Sequence, residues 1–240
     1  MKDTILFDLD GTLLPMDFDD FMARYFHHMG EHFAGWIDSR LLAKHVLAAT
    51  EVMIRTNDGR TNEDIFMDHF KTLIDGDLEE YANHFSTYYE SGFEHVRAAT
   101  WQSKDMIAAV RLLQKKGYRL AVATNPLFPY RANLHRLRWA GFGEEDFDYI
   151  SSFEENTYTK PHPGYFQEVL DQIDRKANQC IMVGNDVDDD LPAMTLGIET
   201  FLITDCLINR REKKLNADHV GTYADFLGFV QELPDLTKTT

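Results

Sequence analysis

Cysteine is scarce in this chain: Cys180 and Cys206 are the only two in 240 residues. Two thiols cannot build a disulfide framework, and they lack the spacing of a metal cluster, so a reduced, cytoplasmic protein is expected. Cys180 opens the apolar run Cys180-Ile181-Met182-Val183 and should pack as a small hydrophobe. Long apolar runs are missing too. The N-terminus carries one lysine and no signal-peptide core, and no stretch approaches membrane-spanning length, so no membrane association is expected. Positive charge is in short supply: 24 Lys and Arg face 40 Asp and Glu, for a net charge of −16. That balance would repel a polyphosphate backbone and argues against nucleic acid as a partner. It would also repel a small anion, so any phosphate site must be made positive locally. Internal repeats and low-complexity tracts are absent, and only Pro234 to Thr240 should fray.

What is present begins with a short strand, Ile5-Leu6-Phe7, that runs into Asp8-Leu9-Asp10-Gly11-Thr12. A period of two places Asp8 and Asp10 on one side, and Gly11 lets the chain turn sharply. Two carboxylates at a strand tip suit a divalent cation whose shell is completed by waters and substrate oxygens. From Pro15 to His95 the period changes to that of helices. Phe18, Phe21, Met22, Tyr25, Phe26, Met29 and Phe33 form one aromatic stripe, and Leu42, Val46, Ala49 and Met53 a second, ended by Asn57-Asp58-Gly59. A third stripe holds Ile65, Phe66, Phe70, Leu73 and Ile74; a fourth starts at Asp77 with Glu80 in capping-box style. These stripes are read as core.

Beyond Trp101 helices and strands alternate: a helix closed by Lys115-Lys116-Gly117, then strands at 119–124, 147–151, 180–183 and 199–203 with helices between them. Strands separated in this way need right-handed crossovers and a parallel sheet, so the fold class is a doubly wound α/β domain. Ligands in such sheets sit at the carboxyl ends of strands where the strand order reverses. The expected organisation is an α/β core of residues 1–14 and 96–240 with a helical domain of residues 15–95 inserted after the first strand.

The segment Asp8-Leu9-Asp10-Gly11-Thr12-Leu13 resembles the first motif of the haloacid dehalogenase superfamily, in which phosphatases predominate. Three later stretches are similar to the remaining motifs. Thr124-Asn125-Pro126, at a strand tip before a helix, matches the second, whose threonine binds the phosphoryl group. Thr159-Lys160-Pro161-His162-Pro163 matches the third, whose lysine contacts phosphoryl group and nucleophile; His162 is read as structural. Gly184-Asn185-Asp186-Val187-Asp188-Asp189-Asp190 matches the fourth, with Asn185 interposed after the glycine, so that Asp186 pairs with Asp190 or, in another register, with Asp189.

The resemblance implies a magnesium-dependent phosphohydrolase acting on a small phosphorylated metabolite. Asp8 would be the nucleophile and Asp10 the acid and base. Thr124, Asn125 and Lys160 would hold phosphate, Asp8, Asp10 and Asp186 the metal, and Asp190 would stand behind. The helices would be a first-type cap. Charge counting adds an expectation: Asp8, Asp10, Asp186 and Asp190 outweigh one magnesium ion and Lys160 by one, so Asp10, crowded by like charge, should carry a proton. A haloacid dehalogenase would lack the aspartate at position 10, and a phosphonatase would place a cap lysine in the site, which nothing does for Lys44 or Lys71. A sugar-phosphate mutase of the same superfamily and a non-catalytic phosphate- or metal-responsive binding protein are the alternatives. Oligomeric state is not legible.

Overall fold

The computed structural model describes residues 1–238. Its centre is β1 (Thr4–Phe7), buried along its whole length. Around it lie β2 (Arg119–Val122), β3 (Tyr149–Ile150), β4 (Cys180–Gly184), β5 (Glu199–Ile203) and β6 (His219–Gly221), all parallel, in the order β3-β2-β1-β4-β5-β6. The chain builds outward from β1 to β3, returns to the other side of β1 and builds outward again. The order therefore reverses between β1 and β4, and the tips of these two strands flank the crevice where ligands of such sheets bind.

The alternation of side chains along the strands sorts the helices into two layers. Ile5 and Phe7 join the cluster that also holds α5 (Lys104–Lys115), α6 (Tyr130–Ala140) and α8 (Tyr223–Glu232), where Phe226 meets Phe7 edge-on at 5.9 Å. Leu6 and Met182 face the opposite layer, in which α7 (Pro163–Gln172) contributes Tyr165, Phe166 and Val169. Cys180 is fully buried in that layer, the small apolar role expected of it.

Four helices, α1 (Phe18–His32), α2 (Ser39–Arg55), α3 (Asn62–Lys71) and α4 (Leu78–Glu90), stand between β1 and β2. Each starts on a short polar side chain that accepts a backbone amide: Asp17, Asp38, Thr61 and Asp77. The capping box expected at Asp77 is replaced by a simpler cap, since the carboxylate of Asp77 accepts from the Glu79 amide. The chain leaves the core and returns side by side: Asp17 N donates to Ala99 O and Trp101 N to Pro15 O, both at 3.0 Å. The expected boundary at residue 95 falls inside a 3-10 helix, Gly92–Ala99, that runs with the helices and packs on α1.

The C-terminal elements β6 and α8 escaped the sequence reading: a three-residue strand carries too little periodicity, whereas α8 had a legible signal in its Thr222–Asp225 capping box and the row Tyr223, Phe226 and Val230. The expected fraying from Pro234 is not seen up to residue 238: Leu236 N donates to Lys116 O at 2.9 Å, and residues 236–238 form a 3-10 turn. Residues 239 and 240 lie outside the described residues. Lys116, read only as a basic helix end, extends its ammonium to the carbonyls of Val230, Gln231 and Leu233 at 2.8, 2.7 and 2.5 Å, capping α8. Lys116→Met should therefore cost about 1–2 kcal/mol, or roughly 2–8 °C in melting temperature, a loss that calorimetry would register.

Candidate active site

Asp8 follows directly on β1, Asp186 lies two residues beyond the end of β4, and Thr124 two residues beyond the end of β2. Parallel register carries all three to the same edge of the sheet. Lys160 arrives from the loop before α7 and is buried, with its ammonium 2.9 Å from Asp8 Oδ1 and 2.6 Å from Asp190 Oδ1. Asp190, not Asp189, meets the lysine. The other oxygen of Asp190 accepts the amides of Asn185 and Asp186 at 2.9 Å each, which anchors the turn after β4. Asp189 instead accepts from Asn125 Nδ2 at 3.3 Å, while Asn125 Oδ1 accepts the Lys160 amide at 3.1 Å. The Asn125 side chain thus ties the lysine loop to the acidic turn. Among the described residues the backbone amides of Thr124 and Asn125, at the mouth of β2, have no hydrogen-bond partner. The Thr124 carbonyl is braced from behind by Ser151 Oγ and Tyr165 OH, both at 2.7 Å.

Electrostatics follow from burial. Burial works against the charge on Lys160, but Asp190 and Asp8 together outweigh it and hold the ammonium well above the usual lysine range. Burial pushes the Asp190 carboxyl up to about 7 against the pull of the lysine. Asp8 is raised by burial too, with Lys160 opposing and Asp10 adding to the rise.

Asp10 corrects an expectation. Its carboxyl is raised chiefly by burial, not by crowded like charge, and it faces a cation that sequence reading missed: Arg136, fully buried on α6, forms an ion pair with Asp10 Oδ2 and also donates to Asn133 Oδ1. The guanidinium lies over the Phe128 ring, 4.4 Å from its centroid. A signal existed in the sequence, since Arg136 shares a helical row with Ala132 and Ala140, both fully buried. Arg210 was missed as well. It comes from the loop after β5 and meets Asp186 Oδ2 at 2.7 Å, and no local pattern marks it. With Lys160, Arg136 and Arg210 all present, the four carboxylates no longer outnumber the cations once a divalent metal is added, so charge balance does not require a proton on Asp10.

The donor set suits a hard divalent cation: every candidate ligand is a carboxylate, and Asp10 Oδ1 is buried without a hydrogen-bond partner. Asp186 Oδ1 is taken by the amides of Asp188 and Asp189, so Oδ2, now on Arg210, is the oxygen a metal would compete for. His162 is structural, as expected: its Nδ1 accepts the Gly164 amide at 3.0 Å at the start of α7.

The acids open onto a cleft of about 270 Å³ whose floor is Asp8, Asp10, Thr124, Asn125, Lys160 and Asp186 and whose roof is built by α1 and α2. Here the first aromatic stripe divides. Phe21, Met29 and Phe33 are buried, Tyr25 is buried but reaches the cleft, and Phe18, Met22 and Phe26, one row over on the same helix, line it. An apolar stripe two rows wide is indistinguishable from core in sequence, because the period is the same for both rows.

A doubly wound α/β fold with acids and a buried lysine gathered at its switch point defines a class of hydrolytic enzyme. The chain belongs to the haloacid dehalogenase-like hydrolase family, whose model matches residues 2–195. It is 26% identical over 206 residues to a phosphoglycolate phosphatase of Pectobacterium atrosepticum, covering 83% of this chain and 79% of the relative. It is 22% identical over 201 residues to the pyrophosphatase PpaX of Bacillus cereus, covering 84% and 82%. In fold it is similar to CbbY of Rhodobacter sphaeroides in complex with phosphate, with a TM-score of 0.59 at 20% identity over 94% of this chain and 96% of that one. Among the described residues no helix is long and apolar enough to cross a membrane.

Proposed function

We propose that the protein is a magnesium-dependent phosphohydrolase that removes phosphate from a small phosphorylated metabolite, with Asp8 as nucleophile. The observation that carries this reading is the bridge of buried Lys160 between Asp8 and Asp190 at 2.9 and 2.6 Å, beside the unpartnered backbone amides of Thr124 and Asn125. An ammonium fixed next to a carboxylate neutralises the phosphoryl oxygens without screening the attacking oxygen from the phosphorus. Family membership as a hydrolase favours this over a non-catalytic binder.

In this scheme a carboxylate oxygen of Asp8 attacks phosphorus while the bond to the leaving oxygen breaks in line. The departing oxygen takes a proton from Asp10, whose carboxyl is raised by burial against the pull of Arg136. Water then attacks the aspartyl phosphate, and Asp10 accepts the water proton as free Asp8 and inorganic phosphate form. Lys160 holds the equatorial oxygens throughout, with the Thr124 hydroxyl and the Thr124 and Asn125 amides. Asp8, Asp10 and Asp186 would hold magnesium, which supplies further neutralisation of the phosphoryl charge. Helices α1 to α4 act as a cap that keeps bulk water from the cleft.

Purified protein should release phosphate from p-nitrophenyl phosphate in the presence of magnesium. Chelation by EDTA should lower that rate by roughly a hundredfold or more, reversibly, because Lewis-acid stabilisation of this kind is worth several kcal/mol. A protein that releases no phosphate from any ester offered with the ion would sink the reading.

A further inference from the structure

The charged groups of the cleft are confined to its floor and rim. Its roof is largely apolar: Phe18, Met22 and Phe26 of α1 and Leu47 of α2 line it, joined by Phe128 and Ile208 from the core, and the hydroxyls it contains, on Tyr25 and Thr50, are already bonded to Tyr89 and to the Val46 carbonyl. Phe18 and Leu47 are 45% and 52% exposed, so the roof keeps large apolar surface in water that a ligand in the cleft could cover. The only cations lining the cleft among the described residues are Lys160 and Arg210, and both are already paired, with Asp8 and Asp190 and with Asp186. Arg136 is buried on Asp10. Arg24 of α1 is turned to Asp20 at 2.7 Å. Among the described residues no Lys or Arg of α1 to α4 lines the cleft.

Behind Tyr25, Thr50 and Leu127 a second cavity, of about 320 Å³, shares these walls with the cleft and continues between the helices and the core. Phe66, Phe85 and Phe153 line it beside the carboxylates of Glu63 and Glu154, and the one cation in its lining among the described residues, Arg131, is paired with Glu90.

We propose, building on the hydrolase reading of Asp8, that this apolar roof selects phosphomonoesters whose leaving group is uncharged and apolar, an aromatic or branched aliphatic alcohol. Substrates that carry a second anionic group are disfavoured. A carboxylate or second phosphoryl group on the leaving side would be stripped of water against Phe18, Met22 and Leu47 without a partner, and would face the carboxylates of Asp10 and Asp189. An apolar group gains by displacing water from the same wall, and the second cavity gives a longer one room to extend.

The test compares benzyl phosphate with phosphoglycolate and pyrophosphate. Benzyl and glycolyl phosphates are both esters of alkyl alcohols, so the ranking between them does not reduce to the acidity of an aryl leaving group. In the unmodified protein with magnesium, kcat/KM should favour benzyl phosphate over either competitor by roughly tenfold or more. Equal efficiency, or the reverse order, overturns the proposal. Calorimetric binding to the Asp8→Asn protein, in which no turnover occurs, should give the same order by a similar factor, and the reverse order there overturns it as well. This arm decides the matter even if no ester is hydrolysed, an outcome that sinks the hydrolase reading alone. Leu47→Arg, at an exposed roof position that tolerates a long side chain, should shift the benzyl-to-glycolyl preference by roughly tenfold toward phosphoglycolate. An unchanged preference in that variant also overturns the proposal.

Discussion

Asp8→Asn should abolish phosphate release while the protein stays folded, with kcat falling on the order of 10⁴-fold or more. The nucleophile is the one group in the scheme with no substitute, since Asp190 is turned to Lys160 and to two backbone amides and Asp10 to Arg136. Stability should change little. The substitution removes a buried negative charge whose carboxyl burial already disfavours, and Lys160 keeps Asp190 as a partner at 2.6 Å. The unfolding free energy should thus stay within roughly 1 kcal/mol of the parent. Asp8→Glu should fail as well, by roughly a hundredfold or more, because one extra methylene moves the attacking oxygen by about 1 Å or more. Phosphate release and urea denaturation, measured on the same preparations, check both halves. An Asn variant that turns over at a rate near the parent's would remove Asp8 from the role.

Lys160→Met should be the most destabilising single change in the site. The side chain is buried at 2% exposure between Asp8 and Asp190, themselves 8% and 2% exposed, so its removal leaves two carboxylates without a counter-charge. Breaking one side of a buried ion pair costs about 3–5 kcal/mol, or roughly 6–20 °C in melting temperature for a chain of this size. Adding Asp190→Asn should recover part of the stability, since one of the two stranded charges disappears, yet none of the activity, since the cation proposed to face the phosphoryl oxygens is still missing. Thermal melts of the single and double variants provide the test. If the double variant is no more stable than Lys160→Met, the charge accounting at this site is wrong.

The parts of the site that sequence made visible are those that sit at strand tips. Asp8, Thr124 and Asp186 each follow a recognisable apolar strand, and register in a parallel sheet leaves them little choice of position. Lys160 was legible through the resemblance of Thr159-Lys160-Pro161-His162-Pro163 to the third motif. Arg136 and Arg210 were not, although each pairs with one of the recognised acids. Arg136 lies on a helix whose buried row could have exposed it, but a lone arginine in a helix is usually solvated, and only the approach of α6 to the strand tip gives it Asp10 as partner. Arg210 lies in a loop after β5, and its meeting with Asp186 depends on how that loop folds back over the sheet. The reason given for a proton on Asp10 failed in the same way: its carboxyl is raised, but by burial rather than by an excess of negative charge, because a count made along the chain cannot include cations supplied from other segments.

Apolar spacing and motif order were thus enough to specify an α/β sheet, four inserted helices and the edge at which the acids gather, because each rests on contacts between near neighbours or on strand register. Which acid meets Lys160, which row of the first aromatic stripe is core and which is cleft wall, and how the site's charge balances were settled by the folded arrangement. Those outcomes depend on distances between segments from 24 to 152 residues apart, and burial strengthens or penalises a charge according to what the fold brings beside it.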